Sequence, residues 1–255
     1  MNILEHPRNK HIVYDPVPHT YHYYPSGDKR RTKEAIQFDG ITGWISSFAP
    51  AFNKEAQAQK SSKNPYSDWY GMTTDEIIEA WNEKGRVSRE FGDYIHKVIE
   101  DYVNDGVAED DDMHIIEDFN NVMDANGMTP IRSEFTVFNE DVKRASPIDI
   151  LVEKDDKPTL VDVKTFQDGM QWVGYRDEMF NYPLAHLPHS KYIKTSLQLS
   201  ITQNWLERPE LYDVPCNDHG YILLYTDHFE LIPALYLPNE VATMEQTVTL
   251  PAEYQ

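Results

Sequence analysis

Ala145-Ser146-Pro147-Ile148-Asp149-Ile150-Leu151-Val152-Glu153, then a Lys154-Asp155-Asp156-Lys157-Pro158 break, then Thr159-Leu160-Val161-Asp162-Val163-Lys164-Thr165-Phe166, is the stretch on which the reading of this chain turns. Two apolar, β-branched runs flank a turn-forming segment, which predicts a β-hairpin. Side chains alternate along a strand, so Asp162 and Lys164 share a face. Closing the hairpin brings Asp149 beside them. Two carboxylates and one ammonium on a rigid platform suit a hard divalent cation and an activated water. The same pattern also describes a half-buried hairpin whose polar face meets solvent. The rest of the chain has to separate the two.

Working upstream, Pro130 to Asn139 predicts a strand containing Glu134. Met113 to Ala125 predicts a helix ending near Gly127. Thr73 and Glu76 have capping-box spacing at the start of another helix, with Ile77, Ile78 and Trp81 on its apolar face. Gly85 is expected to break it. A further helix follows from Ser88 to Asn104, with Phe91, Ile95, Val98, Ile99 and Tyr102 at helical spacing. Gly92 and His96 lie on one face of that helix, where the glycine leaves room for close approach. His19 to Tyr24 and Ala35 to Phe38 read as strands, and short helices are expected near residues 41–52 and 51–60.

Downstream, residues 167–190 carry Trp172, Tyr175, Phe180 and Tyr182 with little periodicity. These rings either anchor the loop on the core or offer stacking surfaces to single-stranded bases. Ser190 to Glu207 predicts a helix with Ile193, Leu197, Ile201 and Trp205 on one face and Lys194, Gln198 and Thr202 on another. Gly220 to Tyr225 and Phe229 to Tyr236 are two strands. Residues 1–18 and 239–255 are expected to be an irregular arm and tail around one domain spanning 1–255.

The chain has 255 residues, 40% hydrophobic and 12% aromatic, sufficient for a sizeable core. No run has the length of a transmembrane helix and the N-terminus lacks a signal-type apolar region, so a cytoplasmic protein without membrane contact is expected. One cysteine, Cys216, excludes a disulfide framework and a cysteine-ligated zinc or iron–sulfur centre. The net charge of −20 argues against a generic duplex binder. Basic residues nevertheless gather at 29–33, at Lys143 and Arg144, and at Lys191 and Lys194.

In chain order the polar candidates are His96, Glu134, Asp149, Asp162, Lys164 and Gln198. The ordered set Asp149…Asp162-Val163-Lys164, preceded by the Gly92-Asp93-Tyr94-Ile95-His96 helix and followed by the Gln198 helix, resembles the PD-(D/E)XK nuclease superfamily. The likeness is to its RecB-like exonuclease branch, which includes phage exonucleases and the mitochondrial genome maintenance exonuclease. It covers roughly residues 19 to 207. Two departures stand out: Ile148 separates Pro147 from Asp149, and Thr202 stands where the branch often has a tyrosine four residues after the glutamine.

The resemblance implies an α/β fold, a restriction-endonuclease-like mixed β-sheet flanked by helices, with an N-terminal strand/helix extension and a C-terminal β-hairpin. The hairpin would lie at the sheet's centre, with the His96 and Gln198 helices near one edge. It implies a Mg²⁺- or Mn²⁺-dependent nuclease acting on DNA ends or single strands in phage or bacterial replication, recombination or processing, with a possible protein partner. His96, Asp149, Asp162 and the Val163 carbonyl would hold the metal, their donors converging within roughly 2–3 Å of one point. Lys164 would orient and help deprotonate the attacking water and stabilise developing charge. Glu134 would hold a water or a second ion, and Gln198 would contact the scissile phosphate or Lys164. Read without the resemblance, His96 is an ordinary helical histidine, Gln198 a helix-surface glutamine, and Glu134 a solvated residue or an ion-pair partner of Arg132 or Lys143. The alternative to an enzyme is an inactive module of the same fold that binds nucleic acid or a basic protein.

Overall fold

The computed structural model describes residues 3–15 and 20–249. Strands β1 (Ile12–Asp15), β2 (Thr20–Tyr23) and β3 (Ile36–Gly40) lead into α1 (Ile41–Ser47), α2 (Lys54–Lys63) and the long α3 (Thr74–Asp105). Then come α4 (Met113–Ala125), β4 (Thr129–Asn139), β5 (Arg144–Lys154), β6 (Lys157–Lys164), α5 (Lys191–Glu207), β7 (Tyr221–Tyr225), β8 (Phe229–Pro233) and α6 (Pro238–Thr249). The eight strands form one mixed sheet flanked by helices, an α/β architecture.

The expected hairpin is β5–β6, closed by Asp155 and Asp156. Both take a left-handed φ (51° and 58°), as a two-residue type I′ turn requires. Its position in the sheet creates a fork. One edge of β5 pairs with β4 from Glu153 down to Arg144. The other edge pairs with β6 only from Lys154 to Ile150, and then with β3, in parallel, at Arg144 and Ala145. Asp149 is the first residue past the last β5–β6 pair, Ile150 with Val161, and so lies where β5 passes from one neighbour to the other.

Two apolar layers cover the sheet. Ile95 and Ile99 of α3 and Ile116 and Phe119 of α4 pack on Ile150, Val152, Val161 and Val163. Residues of α1, α5 and α6, among them Trp44, Leu197 and Met244, pack with Leu151, Leu160, Ile222 and Leu224. The helices carrying His96 and Gln198 therefore lie on opposite faces of the sheet, not together near one edge. Among the described residues no helix is long and apolar enough to cross a membrane.

Three sequence expectations are corrected. Gly85 does not break a helix: α3 runs through it as 32 residues, from the Thr73–Glu76 capping box to a left-handed Gly106. A glycine costs about 1 kcal/mol in a helix. Arg86, paired with Glu83 and Glu90 one turn to either side, helps offset that cost. Residues 239–249 are not an irregular tail but helix α6, whose Val241 and Met244 are fully buried. Within the expected arm, Ile12–Asp15 forms an edge strand on β2, with Ile3 and Ile12 buried. Residues 1–2, 16–19 and 250–255, which include His19 and parts of the expected arm and tail, lie outside the described residues.

Candidate metal centre

At the fork three donors meet. Nδ1 of His96 lies 3.8 Å from Oδ2 of Asp149 and 4.0 Å from Oε1 of Glu134, and the three residues present ligand atoms within 4.8 Å of one another. Each comes from a different element: His96 from α3, Glu134 from β4 and Asp149 from β5. The β4–β5 register pairs Ser133 with Ile150 and Phe135 with Ile148, which sets Glu134 opposite Asp149.

The main chain of Val163 organises the group. Its N–H donates to Oδ2 of Asp149 at 2.8 Å, fixing that carboxylate. Its carbonyl lies 3.1 Å from Nε2 of His96 and accepts from Nζ of Lys164 at 3.2 Å. With Nε2–H held by a carbonyl, Nδ1 is the ring atom turned to the two carboxylates, and a cation there would take the place of its proton, the outer-shell arrangement usual for metal-binding histidines. The Val163 carbonyl, expected among the ligands, is here engaged in holding His96 and Lys164.

Charge is concentrated at the fork. Burial of the His96 ring would lower its pKa, but the neighbouring Asp149 and Glu134 carboxylates prevail and raise it to about 9. Glu134 is raised by burial and by the nearby Asp149, partly countered by His96. Asp162 is pushed up to about 7, because burial outweighs its attraction to Lys164. Lys164 is raised, since Asp162 and Asp149 overcome its burial, so the ammonium stays charged at neutral pH.

Asp162 does not join the three-donor group. Its Oδ2 forms an ion pair with Nζ of Lys164, yet receives no well-aligned hydrogen bond and is buried. The physical reason is local: Lys164 is two residues away on the same strand face, and its ammonium is the nearest cation. The donor set fits a divalent cation. It comprises one imidazole nitrogen with its partner nitrogen anchored, two convergent carboxylates, and a buried carboxylate oxygen beside them lacking a hydrogen bond.

The open side of the group is a cleft of about 470 Å³, lined by Arg89, Gly92, His96, Glu134, Lys164 and Phe166 among others. The room left by Gly92 is taken by the Thr165 hydroxyl, which a Cβ there would meet at 3.2 Å. Arg89, to which the sequence assigns no role, and Asp93, which stands there only as part of the Gly92–His96 helix, reach this cleft because α3 repeats them at helical spacing with His96. Glu134 pairs with His96, and neither Arg132 nor Lys143 forms an ion pair with it. Gln198 lines a separate cavity that Lys164 also reaches, with no hydrogen bond between the two.

Thr202 is buried, and its hydroxyl bonds back to the carbonyls of Gln198 and Leu199. It therefore faces the core rather than the cleft. The loop aromatics divide: Phe180 is buried, while Trp172, Tyr175 and Tyr182 are exposed. No family model matches the sequence, and comparison with curated proteins finds no match.

Proposed function

We propose that the protein is a metal-dependent nuclease of the restriction-endonuclease-like fold, hydrolysing phosphodiester bonds of DNA, with Mg²⁺ or Mn²⁺ as cofactor. The observation that carries this reading is the convergence of His96, Glu134 and Asp149 at a fork whose neighbouring strand supplies Asp162 and Lys164. His96 Nδ1 and the Glu134 and Asp149 carboxylates would hold the ion, with Asp162 next to them. When bound, the ion supplies Lewis acidity that offsets the negative charge phosphodiester hydrolysis places on the phosphoryl oxygens. Lys164, charged and pinned by the Val163 carbonyl, places an ammonium where such charge develops, without reorganisation during the reaction. The Val163 N–H keeps Asp149 from rotating out of the site. Gln198, across the cavity shared with Lys164, contributes to substrate placement rather than to holding Lys164. An exonuclease acting in the host or cell cytoplasm during DNA replication, recombination or processing is the form we favour.

The test is hydrolysis of end-labelled single- and double-stranded DNA with Mg²⁺ or Mn²⁺. Asp149→Asn and Lys164→Met should reduce cleavage to background. Cleavage by both variants at the wild-type rate would remove the assignment.

The −20 net charge favours a second reading, an inactive module of this fold that binds a basic protein. Calorimetry with Mn²⁺ separates the two, because that reading requires no heat of ion binding at the fork.

A further inference from the structure

A second cavity, of about 220 Å³, lies between α1, the end of β6 and the first turns of α5. Lys164, Lys191 and Lys194 reach it, together with Gln198, Thr195 and Phe166. Three lysines converge here in a chain carrying 43 acidic and 23 basic residues. Lys191 and Lys194 are each partly buried, and neither has a carboxylate within ion-pair distance among the described residues. The nearest acidic influence on Lys191 is Asp168, which Lys84 approaches at 4.0 Å.

Burial lowers the pKa of both Lys191 and Lys194, as expected for ammonium groups without anionic partners. Nζ of Lys191 sits 4.1 Å over the Phe166 ring, a contact that fixes a cation without neutralising it. The first turn of α5 carries both lysines, which places them at the positive end of that helix, although its Tyr192 and Ile193 N–H groups are already held by the Gln171 carbonyl and the Ser190 hydroxyl. Such an arrangement leaves the charge available to an incoming anion.

We propose that this cavity is a phosphate-binding subsite, in which Lys191 and Lys194 hold a phosphoryl group of a nucleic-acid strand whose neighbouring linkage lies at the fork. The inference rests on the nuclease reading for its choice of anion, and Lys164, which reaches both the cavity and the cleft, joins the two places. Single-stranded nucleic acid is the favoured occupant. Tyr192, next in sequence to Lys191, packs on Trp172 with ring centroids 4.7 Å apart, and Trp172 keeps half of its surface in solvent as a stacking face for an unpaired base.

The experiment is fluorescence anisotropy of a short labelled oligothymidylate at several salt concentrations, with Ca²⁺ as the only divalent ion. The oligomer is supplied with a 5′-phosphate, with a 3′-phosphate and with hydroxyl ends. The variants are K191M/K194M, which keeps the aliphatic stems, and K191R/K194R, which keeps the charge, both first shown by circular dichroism to be folded. Wild-type protein is expected to bind, and the methionine variant to bind at least about tenfold more weakly. Its log affinity should fall less steeply with log salt, by about 0.7 for each lysine lost. The arginine variant should recover most of the loss. Weakening confined to one phosphorylated end identifies a terminal phosphomonoester as the ligand, and equal weakening for all three identifies an internal phosphodiester. Wild-type affinity in K191M/K194M, or no binding by the wild type, overturns the subsite.

Cleavage assays keep the two proposals apart. Weakened binding by K191M/K194M in a protein that never cleaves DNA leaves the subsite standing and removes the nuclease. Cleavage by K191M/K194M with unchanged KM and kcat removes the subsite and leaves the nuclease.

Discussion

Glu134 stands opposite Asp149 in the β4–β5 ladder, and it does so with a left-handed φ of 56° in the middle of a strand. A side chain in that region costs about 1–2 kcal/mol relative to glycine. The conformation coincides with the turning of a carboxylate toward Nδ1 of His96, so backbone strain and a candidate ligand occupy the same residue. Glu134→Gly and Glu134→Ala both remove the carboxylate, and only glycine relieves the backbone. Glu134→Gly should therefore be more stable than Glu134→Ala by about 1 kcal/mol in urea unfolding. Both should bind Mn²⁺ at least about tenfold more weakly by calorimetry, the lower bound for losing even an outer partner of a metal. Equal stability of the two variants would show that the left-handed φ stores nothing.

Folding stability without divalent ions should fall as pH rises, through two separable windows. His96 is raised from 6.5 to about 9 in the folded state. Its contribution is fully present below about pH 6.5 and is lost as pH climbs through 9, because the folded state binds the proton more tightly. Asp162 is also raised, to about 7. An acid raised on folding favours the folded state while protonated, so ionising it between about pH 4 and 7 removes stability. Thermal unfolding in a chelator, from pH 4 to 10, should show both declines. His96→Gln should flatten the upper window and Asp162→Asn the lower one. Stability that increases across pH 7 to 9 in the wild type would contradict this charge balance.

The hairpin, helix α4 and the capped start of α3 are visible in the sequence because each is specified locally. The hairpin has β-branched runs around a turn, α4 a 3.6-residue pattern, and α3 a Thr73–Glu76 box. The site is only partly legible. The Asp162-Val163-Lys164 spacing fixes a shared face, but whether Asp162 faces an ion or Lys164 is a contest between charges a few ångströms apart, which alternation along a strand does not decide. Glu134 is a candidate from the sequence, for a water or a second ion, but only the β4 register sets it across from Asp149 as a donor beside His96. Helix α5 was read as amphipathic, yet Thr195, Ser196, Ser200, Thr202 and Gln203 are all buried. Residues 235–237 and α6 cover that side, and Ser196 and Ser200 accept the Leu235 and Leu237 N–H groups. A helix cannot announce which distant segment will satisfy its hydroxyls.

Gly85 offers a direct measure of how strongly α3 is held. It sits inside a 32-residue helix, and a Cβ there would meet only the flexible end of Arg89 at 3.4 Å. Gly85→Ala should stabilise the protein by about 0.5–1 kcal/mol, through lower unfolded-state entropy and better helix propensity. Urea midpoints compare the two proteins. Destabilisation would mean that the helix needs glycine at this point.

Lys164 has to be tested for chemistry and stability separately, because its ammonium is the counter-ion of buried Asp162. Removing one partner of a buried pair costs about 3–5 kcal/mol, whereas replacing both by neutral groups of similar shape is close to neutral. Lys164→Met should therefore be destabilised at pH 8, where buried Asp162 must either ionise without its counter-ion or hold a proton against the pH, and substantially recovered at pH 5, where the carboxyl takes up a proton readily. Asp162→Asn with Lys164→Met should regain most of the stability at pH 8. Cleavage should not return with it: loss of a preorganised charge at the reacting phosphate costs about 100- to 1000-fold in rate. The double variant thus isolates the chemical role, since it is folded at the assay pH yet lacks the ammonium. Wild-type cleavage by that double variant would assign Lys164 to the support of Asp162 alone.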